Sequence, residues 1–296
     1  MQDFRMETFL TVCKYLNYTK AAQELNLTQP AVSQHIRYLE NFYQVQLFYH
    51  AGKKVELTRA GELLRNSALT FKHDEIYLMR MLQDTAKNTR NFAFGATLSV
   101  AEFMLPPDLE RLICAYPQSH IRMEVGNTRE LLSKLDAGEL DFAVVEGEFP
   151  REEYEFLLYR KEPYVPVASR KKAEQYRNAE FRELLSERLI LREPGSGTRE
   201  ILERELRRRG MTTDDFSQIT ELGNIGAIQA MLRANLGISF FYQATLTDRE
   251  TQLAPIELKD FSLEHEVMFI FRKNSSFQED YEEIYAFLTN RENSQN

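Results

Sequence analysis

The stretch Thr28-Gln29-Pro30-Ala31-Val32-Ser33-Gln34-His35-Ile36-Arg37-Tyr38-Leu39-Glu40 decides how this chain is read. Thr28 suits a helix N-cap, and Pro30 falls in the first turn, where its missing N–H costs little. Val32, Ile36 and Leu39 share one helical face, which Tyr43 continues, and that face is predicted to be core. Gln29, Ser33 and Arg37 recur every four residues as a polar stripe, with Gln34 beside it. Gln and Arg offer the two-point hydrogen bonding that suits purine edges in the major groove of DNA. An ordinary amphipathic surface helix has the same periodicity, so the flanking sequence must separate the two.

Upstream, Met6, Phe9, Leu10, Cys13 and Leu16 have helical spacing behind a capping Asp3. Tyr18-Thr19-Lys20-Ala21-Ala22-Gln23-Glu24-Leu25 reads as a short helix capped by Thr19. The paired Ala residues allow close helix approach. The link Asn26-Leu27-Thr28 is short, as in a helix–turn–helix. Downstream, residues 47–57 read as a β-ribbon turning at Gly52, with Lys53 and Lys54 at its tip. A winged helix–turn–helix accounts for residues 1–58.

The run Tyr18–Glu40, with Leu47-Phe48 and then Leu57-Thr58-Arg59-Ala60-Gly61, resembles the LysR-type transcriptional regulators at many positions of fixed spacing. The resemblance implies a mixed fold: an all-α winged helix–turn–helix with a small β wing, a long linker helix, and a two-lobed α/β effector domain similar to periplasmic binding proteins. It places Thr28, Gln29, Pro30, Ser33, Gln34, His35 and Arg37 at or near base edges, and Lys53, Lys54 and Arg59 on phosphates. Gln34 stands where the family frequently has Arg, which alters the expected base preference.

The formal net charge of −8 speaks against a general polyanion binder. Residues 1–59 hold seven Lys/Arg against five acids, a net +2, so the remainder carries −10. DNA contact is therefore confined to the first segment. A single weakly basic head binds poorly, which argues for a dimer or higher oligomer. Cys13 and Cys114 fall in different expected domains, form no disulfide framework and read as core filler in a reducing cytoplasm. No export signal and no membrane span are expected.

Thr58 caps a helical stretch reaching about Asn88. Leu64, Ala68, Phe71, Glu75, Leu78 and Leu82 follow a 4-3-4-3-4 spacing, a heptad seam that predicts a dimerising linker helix over 59–89. Glu75 in the seam weakens or registers the pairing. Beyond it, strands at 91–97, 121–125, 141–145, 164–168, 189–191, 219–222, 237–241 and 267–271 alternate with helices. That pattern predicts a mostly parallel α/β sheet over 90–296. The resemblance divides it into lobe I (90–161 with 267–291) and lobe II (162–266), hinged near Glu162 and Glu266. The polar tail after Thr289 is expected to fray.

Two strand-to-helix turns offer a ligand site. Thr97, Leu98 and Ser99 present hydroxyls and free N–H groups at a helix start, although plain N-capping explains them equally well. Gly195, Ser196, Gly197, Thr198 and Arg199 form a turn whose glycines let the backbone curl, with a positive charge nearby. Asn127, Asn224 and Glu146 lie at equivalent turns and strand ends. The resemblance makes these residues an effector pocket for a small, anionic metabolite between the lobes. It also implies promoter DNA as partner, a homodimer assembling to a homotetramer, and contact with RNA polymerase. No cofactor, metal or catalytic role is expected: there is no Gly-x-Ser-x-Gly, no His-Glu-x-x-His, and Gly223-x-x-Gly226 lacks a dinucleotide fingerprint. The alternatives are a cytoplasmic solute-binding protein and, further off, an α/β enzyme.

Overall fold

The structure, a computed structural model, describes residues 3–52, 54–246 and 252–289. Lys53 and the tail after Thr289 lie outside them. Three helices open the chain: α1 (Phe4–Tyr15), α2 (Tyr18–Glu24) and α3 (Gln29–Tyr43). Asp3 caps α1 by accepting from the Arg5 amide. Asn17, not Thr19, caps α2, because its Oδ1 accepts from the amides of both Thr19 and Lys20. Phe9, Val12, Ala21, Ala22, Val32, Ile36, Leu39, Leu47 and Phe48 form one buried cluster. Tyr43 lies outside it, 42% exposed, with its ring against Phe42. The fifteen-residue α3 overshoots its shorter neighbours, so the last turn of its apolar face is uncovered. Leu16 is also not core: it is exposed and ends α1 in the left-handed region.

Strands β1 (Phe48–Ala51) and β2 (Lys54–Leu57) pair antiparallel as the wing. The Thr58 hydroxyl then donates to Gln46 O at 2.7 Å and accepts from the Gly61 amide at 3.0 Å. A Cβ on Gly61 would sit 2.2 Å from Leu47 O, so only glycine lets the next helix start against the wing. That helix, α4 (Arg59–Lys87), is 29 residues long and ends at Asn88 in the left-handed region. At 1.5 Å per residue it spans about 43 Å.

α4 has two faces where the sequence suggested one. Its inner face is fastened to the α/β domain. Thr70 donates to Lys273 O, Asp74 accepts from Ser275 and the Ser276 amide, His73 bonds Leu140 O, and Tyr77 packs on Phe277 and Tyr281. The predicted seam is split by this. Leu64 packs against the head cluster and Ala68 is buried within the chain, so neither faces outward. Phe71, Leu78 and Leu82 are exposed, and Leu63 and Met79, absent from the expected seam, join them.

The α/β domain runs β3 (Phe92–Ala96), α5 (Leu98–Phe103), α6 (Pro106–Ala115), β4 (Ile121–Val125), α7 (Thr128–Ala137), β5 (Phe142–Val145), β6 (Tyr154–Ser169), α8 (Arg170–Gln175), β7 (Arg188–Leu191), α9 (Gly197–Arg208), β8 (Gln218–Glu221), α10 (Ile225–Arg233), β9 (Ser239–Tyr242), β10 (Leu253–Pro255), β11 (Glu264–Arg272) and α11 (Gln278–Thr289). The main sheet follows the order β10-β6-β11-β5-β3-β4, with β9 also on β6. Among the strand pairs of the described residues, β3 with β4, β3 with β5 and β7 with β8 are parallel, and the pairs of β6 and β11 are antiparallel. The sheet is thus mixed rather than mostly parallel. The cause is β6, sixteen residues long, of which only the end was predicted. Pro163 and the charged run Arg160-Lys161-Glu162 precede the predicted strand, and pairing with β11 carries the strand through them.

β6 and β11 form the crossing between two lobes, with His265 opposite Glu162 and Glu266 opposite Lys161. Leu98 and Phe103 of α5 lean on the second lobe's apolar cluster of Val167, Ile190, Ile225, Ile228, Leu232, Phe241 and Leu253.

Candidate functional site

The first site is the outward face of α3. Thr28 caps the helix through Ala31 N, and Thr28, Gln29, Pro30, Gln34 and Arg37 are exposed. Gln29 Nε2 donates to Ser33 Oγ at 3.0 Å, which ties the first two residues of the stripe together. His35 does not join it. Its Nδ1 is 2.9 Å from Thr8 Oγ1 and its ring meets the edge of Phe4, so it ties α1 to α3 instead of facing a groove wall. Lys54 on the wing and Arg59 at the start of α4 are exposed. Arg5 adds a cation stacked 3.8 Å from the Tyr38 ring centre, which the sequence reading did not single out.

The second site is a cleft of about 290 Å³ between the lobes. Lobe I supplies Thr97, Leu98, Val125, Gly126, Asn127, Glu130 and Glu146; lobe II supplies Arg192, Glu193, Ser196, Gly197 and Gly223. Strand β3 ends just before Thr97 and β5 just before Glu146, so two adjacent parallel strands deliver both side chains to one edge. The lobes touch where side chains are smallest. A Cβ on Gly197 would stand 2.9 Å from Glu146 Cγ, and one on Gly147 would stand 4.0 Å from Gly197 Cα.

Polar groups around the cleft fall into two classes. On lobe II they are satisfied. Arg192 grips Glu193 with two bonds of 2.8 Å. Ser196 Oγ and Thr198 Oγ1 bond one another at 2.9 Å, and Thr198 O accepts from Tyr164. Arg199 is not in the cleft: it is held by Glu203, Glu221 and Arg192 O, so the expected cationic ligand contact is spent within the lobe. Asn224 is also outside, exposed and capping α10 through Ala227 N. Gly195 lines a neighbouring depression rather than the cleft.

On lobe I the opposite holds. Thr97 Oγ1, Ser99 Oγ and Glu146 Oε2 are buried without any hydrogen-bond partner. Thr97 sits at the N-cap position of α5 yet makes no cap bond, so N-capping does not account for it. Asn127 does cap, in a reciprocal box with Glu130 at the start of α7. Burial pushes the Glu146 carboxyl up to about 7; the Tyr242 and Ser99 hydroxyls and Arg192 pull the other way, without any donor closing a bond on Oε2. The sequence reading missed Arg192, Glu193, Glu130 and Gly223 as lining. The turn containing Arg192 and Glu193 was noted, but side-chain direction within it was not legible.

Of the two cysteines expected to fill core, Cys13 packs against the head's buried cluster and Cys114 does not. Cys114 is exposed, because its helix turns that face outward, and Cys13 is only partly buried, its thiol pushed up to about 12 by desolvation. Among the described residues no three His, Cys, Asp or Glu are placed to hold a metal, and no helix is long and apolar enough to cross a membrane.

Comparison with known proteins matches both parts of the chain. The model of the bacterial regulatory helix-turn-helix protein, lysR family, matches residues 4–62, and that of the LysR substrate binding domain matches residues 86–292. The HTH-type transcriptional regulator CysL of Bacillus subtilis is 27% identical, over 96% of this chain and 94% of its own. The HTH-type transcriptional activator CmpR of Synechocystis sp. is 27% identical over 91% and 89%. Among solved structures, a variant of OxyR from Corynebacterium glutamicum bound to hydrogen peroxide shares the fold, with a TM-score of 0.61 and 21% identity over 97% of this chain and 91% of that one. An exposed polar recognition helix in a head that matches one model, and a lined interlobe cleft in a domain that matches the other, identify the chain as a member of the LysR family of DNA-binding transcriptional regulators, not an enzyme.

Proposed function

We propose that this regulator reads promoter DNA with Gln29, Ser33, Gln34 and Arg37, steadied on phosphates by Lys54, Arg59 and Lys53, and that a small carboxylate-bearing metabolite in the interlobe cleft sets its activity. The division into a head (1–58), a linker helix (59–89) and an effector domain (90–296) follows the same reading. The observation that supports the ligand site is the set of unpartnered buried oxygens of Thr97 and Glu146 on the cleft wall, since buried polar groups normally find partners. The protein acts in the cytoplasm and contacts RNA polymerase at its promoters. Two subunits pair through Phe71, Leu78 and Leu82 on the outer face of α4, and two dimers form a tetramer through the effector domains. A ligand shifts activity only through unequal affinity for open and closed lobes, typically 1–3 kcal/mol of coupling.

Gel-shift titration with promoter fragments, with and without compounds that raise the melting temperature in a screen of small carboxylates, tests the whole reading. Tight, sequence-selective binding that responds to a hit supports it. Absence of selective binding overturns it. Replacing Phe71 and Leu78 by Asp should abolish dimers and DNA binding together; retained tight binding overturns the linker interface. Arg37→Ala should cost about 1–3 kcal/mol and relax one base position, whereas Lys54→Ala should weaken all sequences alike and flatten the salt dependence.

A further inference from the structure

Glu146 is a buried carboxyl, 2% exposed, at the end of β5 on the cleft wall, and its Oε2 has no partner. Thr97, on the same wall, is 3% exposed with its hydroxyl likewise unpartnered, and Ser99 behind it is fully buried and unpartnered. The cleft holds one guanidinium, Arg192, and Glu193 already neutralises it through two bonds. Glu130 and Glu193 also line the space, so three carboxyls face one cation. The expected cationic contact, Arg199, is spent on Glu203 and Glu221. A purely anionic ligand would enter an acidic cleft with no free cation. A ligand bringing its own cation would satisfy the Oε2 of Glu146, which has no hydrogen-bond partner.

Resting on the cleft being the ligand site, we infer that the ligand carries a protonated amine that donates to Glu146 Oε2 and to Thr97 Oγ1 alongside, and that it is a zwitterion of amino-acid type. The volume of about 290 Å³ lies at the small end of ligand pockets and suits a single metabolite of that kind. The amine falls toward Glu146, and the carboxylate toward Arg192, whose guanidinium it would share with Glu193.

The groups around Glu146 fix the sign of a pH effect. Arg192 follows β7, Tyr164 lies on β6 and Tyr242 on β9, and both tyrosines stay neutral because burial raises them. Beyond Tyr242, Glu162 lies on β6 and His265 on β11; desolvation holds His265 low, so it is neutral near pH 7 and supplies no counter-charge. An ammonium ligand binds the ionised carboxylate, so its affinity rises as pH climbs through about 7, where burial places Glu146. A carboxylate held by the protonated form would weaken over the same range.

Calorimetry on the full chain tests this with matched probes: L-amino acids, the same skeletons with the amine replaced by hydroxyl, and the same skeletons without the carboxylate. The expected result is binding by an amino acid, loss of about tenfold or more in its hydroxy analogue, and rising affinity from pH 6 to 8. Glu146→Gln should remove the amine preference; the pH profile of the unaltered chain decides the matter if that variant fails to fold. Equal binding of hydroxy acids, falling affinity with pH, or silence from every amine-bearing probe overturns the inference. Gly197→Ala, which crowds Glu146, separates the two levels. Ligands weakened by it but indifferent to the amine sink only this inference, whereas ligands untouched by it bind elsewhere and take the cleft reading down as well.

Discussion

The two strand-to-helix turns that face each other across the cleft look alike in sequence. Thr97-Leu98-Ser99 and Ser196-Gly197-Thr198 each put two hydroxyls two residues apart at a helix start. In the folded chain they are opposites. The lobe II pair bond each other, and Tyr164 secures the backbone behind them. The lobe I hydroxyls are buried without a hydrogen-bond partner, beside the equally unpartnered Oε2 of Glu146. A satisfied turn holds its lobe together, whereas an unsatisfied one costs stability until something enters the cleft.

This contrast orders the expected effects of mutation. The largest is at Glu146. Its ordinary value is 4.5 and its folded value about 7, so stability is highest at low pH, falls as pH rises through that window, and stays low above it. The full difference is roughly 3 kcal/mol. Denaturant unfolding of the ligand-free protein at pH 5 and pH 8 should show that loss, and Glu146→Gln should remove it. A pH-independent wild-type midpoint would break the contrast.

The next effect is on the satisfied side. Ser196→Ala should destabilise by about 1–2 kcal/mol, because it leaves the buried Thr198 hydroxyl without its partner. Arg199→Ala should cost about 1 kcal/mol or less, since its pairs with Glu203 and Glu221 are partly open to solvent, and should leave ligand affinity nearly unchanged. A large loss of affinity there would return Arg199 to the cleft. The smallest stability effect belongs to Thr97→Val: near zero or slightly favourable without ligand, because no bond is lost, together with a clear loss of ligand response. A loss of stability equal to that of Ser196→Ala would erase the distinction between the turns.

The same division separates what could be read from the chain and what could not. The caps at Asp3, Thr28, Thr58 and Asn88, the termination of α7 at Gly138, and the split at Pro106 depend on residues within a few positions of each other. Local geometry decides them, and the sequence carries that geometry directly. Where two local candidates compete, as Asn17 and Thr19 do for α2, the better acceptor wins by a margin the sequence does not print. The polar stripe of α3 follows from helical spacing alone, while the inward turn of His35 depends on Thr8 and Phe4, a helix away.

From its sequence alone the chain determined a recognition helix with a buried and a polar face, a wing, a long linker helix, and strands that bring polar turns to one end of an α/β domain. Those features rest on periodicity and capping, which act over one or two turns. Tertiary structure decided which face of α4 was already occupied, that β6 runs unbroken through Pro163 and the charged run before it, and that Arg199 serves Glu221, twenty-two residues on. It also decided that Glu146 Oε2 loses its water without gaining a partner. A carboxyl becomes unsatisfied only when both lobes close around it, and no pattern along one strand records what the other lobe fails to supply.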